Sequence, residues 1–246
     1  MKKYYLYGII SADVDKSFGV LDIAAKEPVV INSTSFMGLS VIHTEITLDD
    51  NEEVIPSRKN MLNHQKAIER VMEEHNILPF SFGMVVDDMA ALKEVINKKF
   101  DFFNEKLQKI AGKIELSLKG LWNDMTLVYD HILDTNQDIQ AYRAKLINSG
   151  NPDQNEKIEL GKMVEYALTL EKERLSDMII THLADGYHDY RMNKNITDSM
   201  FCNLAFLVDK DKEKEFDLLV NVIGEELNIN VTLKYVGPMP PYNFLD

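Results

Sequence analysis

The side chains best placed to do chemistry fall in one stretch, His182-Leu183-Ala184-Asp185-Gly186-Tyr187-His188-Asp189. Imidazoles and carboxylates together are a zinc donor set, and a metal-dependent enzyme would use His182, Asp185 and His188. The spacing argues for a solvated helix end instead. Gly186 interrupts the helix, so the fixed same-face geometry of a helical histidine motif is lost. The run Asp209-Lys210-Asp211-Lys212-Glu213-Lys214-Glu215 has the carboxylate density of a calcium loop. It lacks the central turn glycine and the bidentate glutamate at the twelfth position, and acidic residues at a helix start answer the helix dipole. The remaining histidines, His43, His64, His75 and His131, are scattered. The 11 glycines stand singly, so no backbone loop can cradle phosphates, and neither a dinucleotide fingerprint nor a Gly-x-Ser-x-Gly elbow is present. The expectation is a chain with no catalytic residue, cofactor or metal, and not an enzyme.

Charge narrows the partners. The chain of 246 residues carries 27 Lys and Arg against 40 Asp and Glu, a formal net charge of -13. Such a surface repels phosphate backbones and anionic lipid, so neither nucleic acid nor membrane is expected as a partner. No apolar run approaches the roughly 20 residues that cross a bilayer. Tyr4 to Ile10 follows two lysines but is short and soon meets Asp13 and Asp15. It reads as a strand rather than a signal peptide, which implies a cytoplasmic protein. The single cysteine, Cys202, lies in an apolar run and reads as a small buried hydrophobe. The 12 methionines read as core packing, with a Met-lined partner groove as the alternative.

These side chains must be held by an α+β fold. Strands are expected at Tyr4 to Ile10, Val29 to Ile31 and Leu39 to Ile46, with a turn over Asn32 to Gly38 and a loop at Asp49 to Glu53. Ser57 can cap a helix whose inward positions are Met61, Ile68, Val71, Met72 and His75. After an extended Leu78 to Val86, Asp87 or Asp88 opens a second helix. It carries Leu92, Ile96, Phe100, Phe103, Leu107 and Ile110 on one face and ends at Gly112.

A domain boundary is expected there. Ile114, Leu116 and Leu118 then alternate with Glu115, Ser117 and Lys119, the pattern of a half-buried strand. A helical hairpin turning at Asn148 to Pro152 follows, and its second arm runs from about Asp153 to Ala184. Next come a short strand near Tyr187 to Asn193 and a central strand at Phe201 to Val208. A helix opened by Asp209 or Asp211 and a last strand with Ile229, Val231, Leu233 and Tyr235 complete the half. This β-α-β-β-α-β order is a ferredoxin-like plan with an enlarged first crossover. The expected domains are 1–111, an N-terminal α+β domain, 112–236, a ferredoxin-like domain with a helical insertion, and 237–246, a tail packing on the body.

The tail is the most distinctive segment: Tyr235-Val236-Gly237-Pro238-Met239-Pro240-Pro241-Tyr242-Asn243-Phe244. Three prolines in four positions favour an extended, polyproline-like backbone that leaves the sheet. Tyr242 and Phe244 supply anchors of large area. A stiff tail with aromatic anchors loses little entropy on ordering and so makes a good clamp. Gly237, Pro238, Pro240, Pro241, Tyr242 and Phe244 are therefore the candidate site, either as a clamp on the chain's own body, across the domain seam, or as a partner-binding element.

The same segment resembles the closing Gly-Pro-Trp-Pro-Pro-Tyr-Ser/Asn-Phe of the gas vesicle protein F/L family, with Met239 in place of the usual Trp. Tyr5-Leu6-Tyr7-Gly8-Ile9 looks like that family's opening strand. Leu78-Pro79-Phe80-Ser81-Phe82-Gly83 resembles its Leu-Pro-x-x-Phe-Gly block. Asn203-Leu204-Ala205-Phe206-Leu207-Val208-Asp209 is similar to its Asn-x-Ala-Phe-Leu-Val-Asp strand, whereas Leu118-Lys119-Gly120 departs from its Val-Lys-Val. The resemblance implies a two-domain accessory protein of gas vesicles, or a minor structural component of their wall, located in the cytoplasm or at the vesicle. It implies contact with the small, very hydrophobic shell protein and with other vesicle accessory proteins, and it carries over no catalytic residue. The alternative is a generic ferredoxin-like interaction module unconnected with flotation.

Overall fold

A computed structural model describes residues 2–21, 29–47, 54–227 and 230–245. The chain falls into two compact units, residues 1–115 together with 238–246, and residues 116–237. The expected loop at Asp49 to Glu53 and the strand position Ile229 lie outside the described residues.

The first unit is an antiparallel sheet with helices. Its strands are β1 (Lys2–Ile10), β2 (Ser17–Leu21), β3 (Val29–Phe36), β4 (Leu39–Thr47), β5 (Ile77–Pro79) and the short β6 (Val85–Val86). The order is β2-β3-β4-β1-β5, and β6 also pairs with β1. β1 is antiparallel to β4, with a bulge at Tyr7, so that Leu6 faces His43 and Gly8 faces Ile42. The extra residue resets the alternation. It lets Tyr5, Tyr7 and Ile10 share one core cluster while Leu6 and Ile9 enter another. β1 is buried from Tyr5 to Ile10, as the unbroken apolar run requires of a strand covered on both faces. β3 and β4 are longer than expected because Asn32 to Phe36 pairs with Leu39 to His43. Only Met37 and Gly38 form the turn, both with positive φ (55° and 88°), the combination that matches the twist of a two-residue hairpin. β2 was not foreseen; a bulge at Phe18 interrupts its alternation and leaves only short apolar stretches to read.

Helix α1 (Arg58–Met72) starts where Ser57 accepts the Asn60 amide, as expected. Its buried face is His64, Ala67, Ile68 and Val71. Met61, expected inward, is 53% exposed. The imidazole takes the inward place because Tyr5 and Phe80 satisfy both its nitrogens. The expected single helix from Asp88 is two, α2 (Met89–Lys98) and α3 (Phe100–Lys109), broken at Lys99, whose ψ of 20° leaves the helical region. The break lets Leu92, Ile96, Leu107 and Ile110 reach one core cluster with Leu6, Ile9 and Leu78. Gly112, at φ 70°, turns the chain out of α3.

The second unit's sheet has the order β10-β7-β9-β8, from β7 (Lys113–Trp122), β8 (Asp189–Met192), β9 (Met200–Asp209) and β10 (Val231–Met239). By order of appearance this is 4-1-3-2, and the predicted β-α-β-β-α-β succession is the one found. β9 is interior and buried from Met200 to Val208. The expected first arm of the helical hairpin is instead two helices, α4 (Met125–Thr135) and α5 (Gln137–Ser149), because Asn136 adopts extended backbone. The long α6 (Gln154–His182) opens on a reciprocal cap between Asp153 and Glu156. α7 (Glu213–Glu226) buries Phe216, Val220 and Ile223. It is preceded by a 3-10 turn over Lys210–Lys212 rather than capped by Asp209 or Asp211.

Candidate functional site

The tail departs from a straight polyproline rod in two ways. β10 continues through Gly237 and Pro238 to Met239, so proline does not end the strand. β10 is an edge strand, where a missing N–H costs nothing on the open side. Pro241 then turns the chain sharply: at φ -76° and ψ 63° it lets the Tyr242 amide donate to the Pro240 carbonyl at 2.7 Å. This is an inverse γ-turn. A 3-10 turn over Tyr242–Phe244 completes it, with the Phe244 amide donating to the Pro241 carbonyl.

Pro240, Pro241 and Phe244 are buried, Phe244 completely. Leu245 packs on the cluster of Leu6, Ile9 and Leu107 in the first unit. Gly237 and Pro238 are exposed, and Tyr242 keeps 37% of its surface open. Burial pushes the Tyr242 phenol above its ordinary range, with Glu69, Tyr5 and Glu115 adding to the effect.

The residue that fixes this turn is Glu115, which sequence reading placed on the solvent side of β7. Ile114, Glu115 and Leu116 are buried in succession, because both faces of the strand are covered there. The Glu115 carboxylate accepts the Asn243 main-chain amide at 2.9 Å and the Asn243 side-chain amide at 2.5 Å. Burial raises its pKa, and the two Asn243 bonds oppose that rise. Local alternation gave no sign of this pairing; the partner lies 128 residues away. Asn76 supports the approach to β7. It accepts the Gly112 amide and donates to the carbonyls of Ile110 and Lys113.

The block Leu78 to Gly83 also proves to be built on buried polar groups. His64 Nε2 lies 3.1 Å from the Phe80 carbonyl, which can only accept. That nitrogen therefore carries the proton, and Nδ1 accepts the Tyr5 hydroxyl at 2.8 Å. The hydroxyl oxygen in turn accepts the Gly83 amide at 3.1 Å. Each donor thus has one acceptor, and burial holds the imidazole pKa down. Phe82 packs edge-on against both Tyr5 and His64.

The histidine cluster does not assemble. His182 Nδ1 donates to the Met178 carbonyl at 2.8 Å, and its Nε2 lies 3.7 Å from Glu226. His188 pairs with Asp209 at 2.8 Å, and Asp185 sits in a 3-10 turn. Among the described residues no three histidine, cysteine or acidic side chains converge as a metal-holding group.

A second candidate was not singled out in the sequence. In the second unit a cleft of about 560 Å³ is lined by Trp122, Leu127, Val128, Leu175, Met178 and Leu227, among others. Its polar rim includes a bidentate ion pair between Arg174 and Glu171, at 2.7 and 2.8 Å. Leu127, 56% exposed, extends the apolar surface outward along α4.

The family model described as gas vesicle synthesis protein GvpL/GvpF matches residues 3–246, and the chain belongs to that family. It is 26% identical over 243 residues to gas vesicle protein F of Dolichospermum flosaquae, covering 98% of this chain and 96% of that one. It is 25% identical over 245 residues to gas vesicle protein F1 of Halobacterium salinarum, covering 98% and 92%. The crystal structure of GvpF from an Anabaena species superposes with a TM-score of 0.87 at 24% identity, over 100% of this chain and 99% of that one. GvpF from Microcystis aeruginosa gives 0.83 at 24% identity, over 99% of each chain. No described helix is long and apolar enough to cross a membrane.

Proposed function

We propose that this protein acts by binding the small hydrophobic shell protein of the gas vesicle and supporting its assembly into the wall, without catalysing a reaction. The observation that carries the reading is the apolar cleft of the second unit, with Trp122, Leu127, Val128, Leu175, Met178 and Leu227 around it, in a chain of net charge -13. An apolar subunit released into water associates until its surface is covered. A partner offering apolar area on an otherwise strongly charged body covers that surface and keeps the pair dispersed. The tail serves this reading as an internal clamp. Pro240, Pro241 and Phe244 are spent on the chain's own first unit, which leaves Gly237, Pro238 and the open side of Tyr242 for a partner.

The test is capture of the shell protein from a co-expressing lysate by the tagged full chain and by Leu127→Asp with Met178→Asp. Both side chains line the cleft, and neither is fully buried. Capture by the parent and its loss in the folded variant is the expected result. Equal capture by both would remove the cleft from the account, and no capture by either would remove direct binding.

A further inference from the structure

The outer edge of the second sheet carries backbone groups that would ordinarily invite another strand. β8, Asp189–Met192, is antiparallel to β9 and, among the described residues, has no strand on its other side. The register sets Tyr190 opposite Phe206 and Met192 opposite Leu204. Just beyond, the Asn193 amide donates to the Asn203 carbonyl at 2.7 Å. Residues of an antiparallel strand alternate between bonding inward and facing away. With Asn193 bonding inward, the N–H and C=O of Met192 and Tyr190 face outward, away from β9.

At Tyr190 both outward groups are already taken by the flanking side chains. The Tyr190 amide donates to Asp189 Oδ1 at 2.9 Å, and the Tyr190 carbonyl accepts Arg191 Nη1 at 2.9 Å. The same Arg191 nitrogen meets Asp189 Oδ1 at 2.8 Å, closing the two plugs into one unit. Beside this ion pair the edge also carries apolar side chains: Tyr190, Met192 and the nearby Ile196 are all exposed. An edge with outward backbone and exposed apolar side chains is a template for strand addition. Here only Met192 is left to offer its outward groups, and one residue does not seat a strand. The other edge strand, β10, carries Pro238, which has no N–H to offer.

We infer that Asp189 and Arg191 form a clasp that closes the β8 edge against a strand from a second copy of this chain. The occupant they exclude is β8 itself, because its outward residues Tyr190 and Met192 would pair with the same residues of the second copy about a twofold axis. This surface is separate from the apolar cleft, so the inference stands whether or not the shell protein binds there.

The experiment uses the full chain and compares the parent with Asp189→Ala/Arg191→Ala by sedimentation velocity over a concentration series. Circular dichroism and melting temperature confirm that both are folded. The expected result is at least a tenfold tightening of self-association in the double variant. Met192→Pro is then added to the double variant. It removes an outward N–H that takes no part in pairing with β9, and it should return the protein to the parent's behaviour. Unchanged self-association in the folded double variant would overturn the inference. So would association that survives Met192→Pro, because the contact would then lie elsewhere. If the double variant fails to fold, Arg191→Met gives the second measurement: methionine has no N–H to donate to either the carbonyl or the carboxylate, so association should rise partway, and no rise would also overturn the inference.

Discussion

At the scale of single residues, the tail is held by a carboxylate that sequence pattern assigns to solvent. Glu115 accepts two N–H bonds from Asn243, and glutamine in its place would turn one amide donor toward another. Glu115→Gln is expected to lose about 1–2 kcal/mol of stability and to speed hydrogen exchange in residues 238–245 selectively. Uniform exchange across the chain would show that Glu115 does not hold the tail. The sign of its pH dependence follows from the raised pKa. The folded state keeps the proton longer than the unfolded one, so the contribution of Glu115 is greatest below the ordinary carboxylate range and falls as pH rises through it. The stability gap between parent and Glu115→Gln should therefore narrow from acid toward neutral pH in denaturant titrations.

His64 behaves in the opposite sense. Burial lowers its pKa, so the unfolded chain binds the proton first. Stability is full above the ordinary imidazole range and is lost as pH falls through it. The melting temperature should drop between about pH 7.5 and pH 5.5, and His64→Gln should show a shallower slope, with His43, also held down by burial, supplying the remainder.

At the scale of elements, two sites test how tightly the strands are specified. A Cβ on Gly120 would meet the Phe201 ring at 2.2 Å. The departure from the family's Val-Lys-Val at Leu118-Lys119-Gly120 therefore has a packing cause: Phe201 fills the space a valine side chain would need. Gly120→Val is expected to cost about 3 kcal/mol, and Phe201→Ala in that background should recover part of the loss. Equal or greater loss in the double variant would refute this account. In the β3–β4 turn, Met37 holds a φ of 55° that suits asparagine or glycine better. Met37→Asn should raise the melting temperature, with a gain of about 0.5–1 kcal/mol.

The same elements show what the sequence disclosed. Helix starts at Ser57, Asp88 and Asp153 were legible because a capping side chain lies beside the first turn in sequence. The breaks at Lys99 and Asn136 were not, because neither residue forbids a helix and only packing decides them. Glu115, the His64 network and the apolar cleft depend on partners distant in sequence, which local pattern cannot register. Phe244 was legible as an anchor because an aromatic beside three prolines has few other uses. Tyr242, read with it, stays partly open.

At the scale of the whole molecule, acidic charge and a localised apolar cleft serve opposite needs. On the proposed function, the charge would keep the protein and a bound shell subunit apart from other copies, and the cleft would supply the contact. A chain ending before Gly237 removes Phe244 and Leu245 from the first unit and should lower that unit's stability by several degrees of melting temperature. An unchanged melt would contradict the clamp.

The measurement that bears most directly on the account is a sedimentation assay of shell protein diluted from denaturant with and without the full chain. Shell protein retained in the supernatant in proportion to added chain, and not with Leu127→Asp/Met178→Asp, is the expected result. Shell protein that pellets equally with and without the chain would contradict the claim that this protein keeps its apolar partner dispersed.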